Sequence, residues 1–358
     1  MTASAETRTS IVWDYAPAPE SADHIRLKDR YGLFVGGEFR DPADGRYEPT
    51  INPANEEPIA EVAWAGPGDI AAAVESAREA QPKWAGLREL ERAKYLFRIA
   101  RLIQERAREL AVVESMDGGK PLRESRDVDI PLAAAHFFHY AGWADKLHYG
   151  VNAREVAPLG VVGQIVPWNF PLLMAAWKLA PALACGNTAI LKPAETTPLT
   201  ALLLAEICQE AELPPGVVTI LPGNGETGAA LVRSKQINKI AFTGSTAVGR
   251  DIQAALAGQD TKLTLELGGK SANIVFEDAA LDQAVEGIVN GIFFNQGHVC
   301  CAGSRLLIQE SVRRRGDRQA VAAHAPPARR RPARQEHRRG RDQLGRAARA
   351  DRGAGRGR

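Results

Sequence analysis

The sequence predicts an α/β fold in which a parallel sheet is covered by helices on both faces. From Gly160 onward, short apolar runs alternate with segments of helical periodicity, and the 358 residues could hold two domains. The predicted strands cover residues 161–166, 188–191, 217–221, 239–242 and 272–275. Strands that alternate with helices in this way are typical of parallel sheets, because each crossover brings the chain back to the same edge.

The region before this sheet is predicted to contain a hairpin and three helices. A Gly-Gly pair at 36–37 supplies the hairpin turn. Asp69 is placed to cap the first helix, and residues 90–116 have the periodicity of one longer amphipathic helix. Residues 131–143 form the third. We expect the aromatic side chains of this helix to pack in the core or at a subunit contact rather than to form a ligand site.

Polar motifs follow two of the predicted strands, where parallel α/β sheets bind ligands such as dinucleotides. Gly244 and Ser245 precede a helix whose N-terminal amides could bind a pyrophosphate, although an ordinary glycine-serine turn has the same sequence. Lys192 and Glu195 could both reach ribose hydroxyls. Their alternative is a solvated surface pair that contributes less than about 1 kcal/mol.

A cysteine and a carboxylate near the end of the chain predict nucleophilic chemistry. Cys300 lies among small residues, as a thiol that substrate must reach requires, whereas the common alternative is a buried structural cysteine. Glu266 precedes a Gly-Gly pair, where a partly desolvated carboxylate could act as a general base or could cap the following segment. A thiolate nucleophile with a separate base is a pattern typical of acyl transfer to water.

Asn169 lies between two aromatic residues in a loop bracketed by prolines. A side-chain amide held in a rigid loop can donate a hydrogen bond to a developing oxyanion. The alternative is an asparagine that satisfies the backbone of a turn.

Five motifs in one order resemble the aldehyde dehydrogenase superfamily, over a stretch from about Gly36 to Val312. The motifs cover residues 166–171, 191–195, 242–249, 265–271 and 293–305. One departure is His298, which stands where family members usually have Gln. Residues two apart on a loop seldom face each other, so we treat His298 as a tolerated variant rather than as a base for Cys300.

The resemblance implies NAD-dependent oxidation of an aldehyde to a carboxylic acid through a thiohemiacetal and a thioester on Cys300. Asn169 and the Cys300 backbone N–H would bind the oxyanion. Glu266 would activate water, which favours hydrolysis over acyl transfer to coenzyme A. The matching cofactor-binding positions are Val166, Pro167, Trp168, Lys192, Glu195, Gly225, Phe242, Gly244, Ser245, Val248 and Leu267. The matching substrate positions are Phe170, Met174 and Trp177, which suggest an apolar aldehyde.

Glu195 also bears on the choice of cofactor. A carboxylate at this position should accept a hydrogen bond from a free ribose 2′-hydroxyl and repel a 2′-phosphate. NAD is therefore favoured over NADP.

The motifs divide the chain into predicted segments. These are a mobile arm at 1–30, an NAD-binding domain at 31–267 that contains an oligomerisation hairpin at 144–159, a truncated α/β catalytic domain at 268–312 that carries the nucleophile, and a disordered tail at 313–358. The family forms homo-oligomers, an expectation that the unusual tail leaves open for this chain.

The four cysteines predict neither a metal site nor a disulfide. Cys185, Cys208, Cys300 and Cys301 lack metal-ligand spacing, and an adjacent pair is a poor disulfide candidate. The sequence shows no signal segment and no apolar run of about 18 residues that could span a bilayer. We therefore expect a cytoplasmic protein with no membrane partner.

The tail at 313–358 contains 16 Arg against four acidic residues and no aromatic residue, so it cannot bury enough apolar surface to fold alone. One interpretation is a basic arm that binds nucleic acid through salt-sensitive contacts. We favour a GC-rich gene read out of frame, because a one-base shift across residues 332–344 can spell a segment that resembles the family's continuation. On this hypothesis the chain is a truncated aldehyde dehydrogenase with no specific nucleic-acid partner, and an inactive frameshift product is the alternative to the NAD-dependent oxidation that the resemblance implies.

Overall fold

The computed structural model describes residues 25–150 and 156–313. The strands in these ranges are β1 (Arg30–Tyr31), β2 (Leu33–Val35), β3 (Glu38–Arg40), β4 (Tyr47–Ile51), β5 (Pro58–Ala63), β6 (Val161–Ile165), β7 (Thr188–Lys192), β8 (Val218–Ile220), β9 (Lys239–Gly244), β10 (Lys262–Leu267), β11 (Ala272–Val275) and β12 (Arg305–Ile308). The α-helices are α1 (Pro67–Ala85), α2 (Glu89–Glu105), α3 (Ala107–Gly118), α4 (Leu122–Glu124), α5 (Ile130–Trp143), α6 (Leu147–Gly150), α7 (Pro171–Ala184), α8 (Leu199–Glu210), α9 (Gly225–Arg233), α10 (Thr246–Ala255) and α11 (Leu281–Phe293). A π-helical turn, Ser125–Asp129, joins α4 to α5, and a 3₁₀ turn, Phe294–Gly297, follows α11.

The largest sheet has seven strands in the order β10-β9-β6-β7-β8-β2-β3. The five strands from β10 to β8 are parallel, whereas β2 and β3 continue the sheet in antiparallel pairing. The prediction of a parallel α/β sheet is therefore confirmed. The predicted hairpin is β2–β3, which turns through Gly36 and Gly37 at φ of +65° and +85°.

The order in which strands are added to the sheet reverses after β8. Strands β6, β7 and β8 follow one another outward on one side, and the chain then crosses to lay β9 and β10 on the other side of β6. In doubly wound sheets such a reversal opens a crevice beyond the carboxyl ends of the two central strands. The loops that leave β6 and β9 therefore meet at one place.

Two cores pack against the two faces of this sheet. Helices α2, α3, α5, α7 and α8 form the larger core, in which Leu96, Ile99, Leu179 and Leu183 are fully buried. Helices α1, α9 and α10 form the smaller core against the other face. Each buried Leu or Ile stabilises the fold by roughly 1.5–3 kcal/mol, so α7 is held firmly behind the strand that precedes it.

Of two predictions about the first helices, one is confirmed and one was wrong. Asp69 caps α1 from its third position, where its carboxylate accepts hydrogen bonds from the backbone N–H groups of Gly66, the N-cap residue, and Ala43 at 2.8 Å and 3.0 Å. The predicted helix at 90–116 is two helices that meet at Arg106. The Arg106 guanidinium donates to Glu109 and to Glu206 on α8, which turns the start of α3 toward α8.

The predicted strand at 272–275 has the predicted bounds but lies outside the large sheet. It is β11, and it pairs in parallel with β12 to form a separate two-stranded sheet. The side chains of Ile274, Phe276, Leu306 and Leu307 on and beside these strands are 46–63% exposed. The edge position in the large sheet is taken instead by β10, which the sequence analysis did not identify as a strand.

Parts of several predictions lie outside the described residues. These are residues 1–24 of the N-terminal arm, residues 151–155 of the hairpin at 144–159, and residues 314–358 of the tail. The described part of the hairpin contains α6, a single helical turn, so the hairpin itself stays a prediction. None of the described helices combines the length and the apolar character that a membrane span requires.

Candidate active site

The loop after β6 carries Asn169 and connects directly into α7. Val166 is buried and its backbone N–H donates to the carbonyl oxygen of Lys192 at 3.1 Å, which fixes the loop to the end of β7. Pro167 is half-buried, and Trp168 is 36% exposed with its ring edge-on to His298 at 4.8 Å between centroids. The loop therefore lies at the crevice between β6 and β9.

Asn169 joins this loop to the segment that carries the cysteines. Its side-chain Nδ2 donates a hydrogen bond to the carbonyl oxygen of His298 at 2.7 Å. In return, Nδ2 of Asn295 donates to the carbonyl oxygen of Asn169 at 2.9 Å. Asn169 thus lies next to the predicted nucleophile loop, the motif at 293–305 that carries Cys300, as the oxyanion role requires.

Three consecutive residues of the nucleophile loop adopt left-handed backbone conformations. Asn295, Gln296 and Gly297 have φ of 46°, 56° and 80°, which for a non-glycine residue costs of order 1 kcal/mol or more. Hydrogen bonds hold this conformation. The Asn295 N–H donates to Oε2 of Glu124 at 2.7 Å, and Nε2 of Gln296 donates to the carbonyl oxygen of Gly119 at 2.8 Å. Sequence reasoning assigned no role to either partner.

Cys300 is exposed in the described structure, as a nucleophile must be, and so is Cys301. Burial of part of its surface raises the pKa of the Cys300 thiol, and the neighbouring Cys301 thiol raises it further. The described surroundings therefore favour the thiol over the thiolate. Burial lowers the pKa of the His298 imidazole, and its Nε2 has no hydrogen-bond partner among the residues that the structure describes. The treatment of His298 as a tolerated variant stays a prediction.

Glu266 lies near the carboxyl end of β10, paired in register with Thr243 on β9. The Glu266 side chain is exposed, because β10 is the edge strand of the sheet. The partial burial expected of a general base is therefore not found for Glu266 in the part of the chain that the structure describes. A cation that the sequence analysis missed lies near it. Burial lowers the pKa of Lys178 on α7 to about 8, and the negative charge of Glu266 partly offsets that effect.

The predicted cofactor residues lie along the carboxyl edge of the sheet. Lys192 is buried at the end of β7 and its Nζ donates to the carbonyl oxygen of Pro193 at 3.1 Å. Burial lowers the pKa of Lys192 to about 8, and the charge of the exposed Glu195 partly offsets this. Gly225 begins α9, which Asn224 caps by accepting from the N–H of Glu226 at 2.9 Å.

The remaining cofactor positions surround α10. Ser245 caps this helix, and its Oγ accepts from the N–H of Val248 at 3.3 Å. Gly244 ends β9, two residues after the buried Phe242. A Cβ on Gly249 would lie 2.6 Å from a methyl carbon of Leu267, so a larger residue at 249 would require the Leu267 side chain to shift.

The predicted substrate residues form one strip on α7 and the loop before it. Phe170 is buried and stacks on Phe294 of the nucleophile loop at 6.2 Å between ring centroids. Met174 is half-buried one turn further on. Trp177 is 53% exposed and stacks on His136 of α5 at 5.6 Å. The strip therefore runs from the exposed Trp177 to Phe294, in the segment that precedes the cysteines.

A family model described as the aldehyde dehydrogenase family matches residues 39–329. The chain belongs to the aldehyde dehydrogenase family. The match extends past Val312, where the sequence analysis expected the resemblance to end. The described residues contain no cluster of side chains suited to holding a metal ion.

Individual relatives agree with this assignment. Retinal dehydrogenase 2 of Homo sapiens is 48% identical over 294 residues, which cover 78% of this chain and 57% of that protein. Acetaldehyde dehydrogenase of Pseudomonas aeruginosa is 48% identical over 303 residues, which cover 80% and 60%. The solved NAD+ complex of aldehyde dehydrogenase from Bacillus cereus has a TM-score of 0.79 and 41% identity, over 84% of this chain and 65% of that chain. The chain spans 54–60% of the length of the curated relatives it matches.

Proposed function

We propose that this chain catalyses the NAD-dependent oxidation of an aldehyde to a carboxylic acid, with Cys300 as the nucleophile. The observation that carries the proposal is the hydrogen bond that joins the Asn169 amide to the cysteine segment at the crevice of the parallel sheet. It holds the assigned oxyanion donor against the segment that carries Cys300 before any substrate binds. Membership of the family and the NAD+ complex of the Bacillus cereus relative support the same reaction.

The first step is addition to the aldehyde. The Cys300 thiolate forms a C–S bond to the carbonyl carbon, and the carbonyl oxygen becomes an oxyanion. Asn169 Nδ2 and the Cys300 backbone N–H are the donors that we assign to this oxyanion. The aldehyde would approach along the apolar strip of Phe170, Met174 and Trp177.

The second half of the reaction releases the acid. NAD, when bound, accepts the hydride that leaves the substrate carbon, and the product on the protein is a thioester at Cys300. Glu266 takes a proton from water, the water oxygen attacks the thioester carbon, and the C–S bond breaks to return the thiolate. A general base that activates water favours hydrolysis over transfer to coenzyme A.

The residues at the sheet edge suit a dinucleotide. The N-termini of α9 and α10 offer backbone amides to phosphates. The Lys192 ammonium and the Glu195 carboxylate supply a donor and an acceptor for ribose hydroxyls, and the carboxylate favours NAD over NADP. The four free cysteines support a reducing, cytoplasmic setting.

The proposal is tested by trapping the thioester. The purified chain is incubated with NAD and an apolar aldehyde, quenched in acid and analysed by intact and peptide mass spectrometry. We expect an acyl adduct on the Cys300 peptide and a matching rise in NADH absorbance, both absent without NAD and in Cys300→Ala. NAD binding, shown by calorimetry, without any adduct on Cys300 would contradict the proposal.

A further inference from the structure

Three charged residues form a buried cluster behind the loop that carries Asn169. Glu114 on α3 and Asp129 at the end of the π-helical turn are fully buried, and Lys120 between them is 6% exposed. The Lys120 Nζ forms an ion pair with Oδ2 of Asp129 and lies 3.7 Å from Oε1 of Glu114. Each of the two carboxyl groups also affects the pKa of the other.

The charges of this cluster balance only if it holds one additional proton. Two carboxylates and one ammonium would leave a net negative charge in a fully buried place, which is costly. Oε1 of Glu114 and Oδ1 of Asp129 have no hydrogen-bond partner among the residues that the structure describes. A proton on one carboxyl group supplies a donor for the other and makes the cluster neutral. Burial raises the pKa of Glu114 to about 7, in agreement with this account.

The cluster contacts two of the three residues that follow Asn169. Oε2 of Glu114 accepts a hydrogen bond from the Leu172 N–H in the first turn of α7 at 3.2 Å. The Lys120 Nζ lies 4.2 Å from the centroid of the Phe170 ring. The cluster therefore fixes the backbone three residues after Asn169 and the side chain one residue after it.

The same corner of the structure also holds the nucleophile loop. Glu124, four residues after Lys120, accepts from the Asn295 N–H, and Gly119 accepts from the side chain of Gln296. The segment from α3 to α5 is thus a common support for the two loops that meet at the His298 carbonyl. A change in the cluster would reach Asn169 through Phe170 and α7.

We propose that Glu114, Lys120 and Asp129 share a single proton and act together as positioning residues that hold the Asn169 loop against the cysteine segment. The catalytic consequence rests on the proposed function, but the positioning does not. Loss of the shared proton leaves two repelling carboxylates around one ammonium, which loosens the support under Phe170 and Leu172.

Mutation can separate the titration of the cluster from that of the acidic groups near it. Glu124 interacts electrostatically with Lys120, with Asp129 and with Arg123. Asp117 is a matched control, because it lies one turn after Glu114 on α3, is buried, and has a pKa that burial raises to about 7. Its carboxylate instead accepts from Oγ1 of Thr50 at 2.7 Å and from the Leu199 N–H at 2.9 Å.

The test follows the fluorescence of Trp168, which lies in the loop itself, as a function of pH and without substrate or NAD. All proteins carry His298→Gln, because the His298 ring contacts Trp168 and would add its own titration. A Trp168→Phe version identifies the Trp168 part of the signal. Circular dichroism and thermal unfolding establish that each variant is folded.

We expect a transition in the Trp168 signal near pH 7 that is lost in Glu114→Gln and kept in Asp117→Asn. Asp129→Asn leaves one carboxylate for one ammonium, so its transition should move down by about one pH unit or more. A transition that survives in folded Glu114→Gln, or its loss in Asp117→Asn as well, overturns the proposal, as does a flat signal before mutation. If aldehyde turnover is present, Glu114→Gln should also remove the matching inflection from the pH profile of kcat. A failure of turnover alone bears on the proposed function and leaves the fluorescence result standing.

Discussion

The side-chain amide of Asn169 donates to the backbone carbonyl of His298 at 2.7 Å, across 129 residues of sequence. The donor that we assign to the oxyanion is thus already engaged with the segment that carries Cys300. The substrate oxygen must share this amide, which has two N–H donors, or displace the carbonyl. The contact therefore couples the position of the nucleophile to that of the oxyanion donor.

Asn169→Ala removes both functions of that amide. We expect acylation of Cys300 to slow by about 10²–10³, the usual effect of losing one oxyanion donor. Hydrogen exchange of the peptide that covers 294–301 should become faster, because the hydrogen bond from Asn169 to the His298 carbonyl is lost. Asn273→Ala is the control, since Nδ2 of Asn273 donates to the carbonyl of Gly303 on the other side of the cysteines at 3.3 Å. Equal loss of acylation in both variants would contradict the oxyanion role.

Cys300→Ala should abolish aldehyde-dependent NADH formation, by about a thousandfold or more if the chain turns over. Cys301→Ala should be tolerated, and iodoacetamide should alkylate Cys300 in that variant at least as fast as before mutation, because Cys301 raises the Cys300 pKa. Alkylation is followed by peptide mass spectrometry. If both variants fold and lose activity equally, the assignment of Cys300 rather than Cys301 as the nucleophile is contradicted.

Glu266→Gln should slow hydrolysis of the thioester by about 10²–10⁴, the range for loss of a general base. The acyl-enzyme should then accumulate and appear as a stable mass adduct on Cys300. Glu277→Gln serves as the control, because Glu277 is also exposed but accepts from Oγ of Ser311 instead. Unchanged turnover in Glu266→Gln would show that another group activates water.

Glu195→Gln should weaken NAD binding by about tenfold, since hydrogen bonds to charged groups contribute roughly 1.5–3 kcal/mol. NADP binding should improve in the same variant because the repelling carboxylate is gone. Both dissociation constants are measured by calorimetry. Glu210→Gln, an exposed acidic position on α8, should change neither value. A constant ratio of the two affinities would refute the assigned role.

Asp117 predicts a pH dependence of stability. Burial raises its pKa to about 7 in the folded chain, whereas an unfolded aspartate titrates near about 3.9. Between these pH values the folded state holds more protons, so the stability from this group is present at low pH and is lost as pH rises toward 7. Asp117→Asn removes this pH-dependent loss of stability. Urea unfolding should therefore show a stability difference, variant minus parent, that grows between pH 4 and pH 7 and levels off above it.

Strands β6 to β9 of the parallel sheet were predictable because apolar runs and their spacing are local features of the sequence. The motif positions at the ends of β6, β7 and β9 followed from the same local pattern. The break at Arg106 was not predictable, because the residues on both sides of it have helical periodicity, and one of its ion-pair partners is Glu206, on a helix far along the chain. β10 was missed because an edge strand is half-exposed and does not show a continuous apolar run.

The motifs of the site were predictable, whereas the residues that pack behind those motifs were not. Asn169, Cys300 and Glu266 stand in distinctive short sequences. Lys178 follows Trp177 in an apolar helix, and only the packing of α7 behind the sheet brings its charge near Glu266. Glu114, Lys120 and Asp129 come together through the α3 to α5 corner, and no local pattern marks them as a group.

Gly249 on α10 packs directly against the side chain of Leu267, the residue that follows Glu266 on β10. Because β9 and β10 run parallel and Glu266 pairs with Thr243, Glu266 and the helix cap Ser245 lie at the same end of the sheet. A Cβ at position 249 would displace the Leu267 side chain beside both of them. We therefore expect a substitution of Gly249 to disturb the proposed phosphate site and the proposed base together.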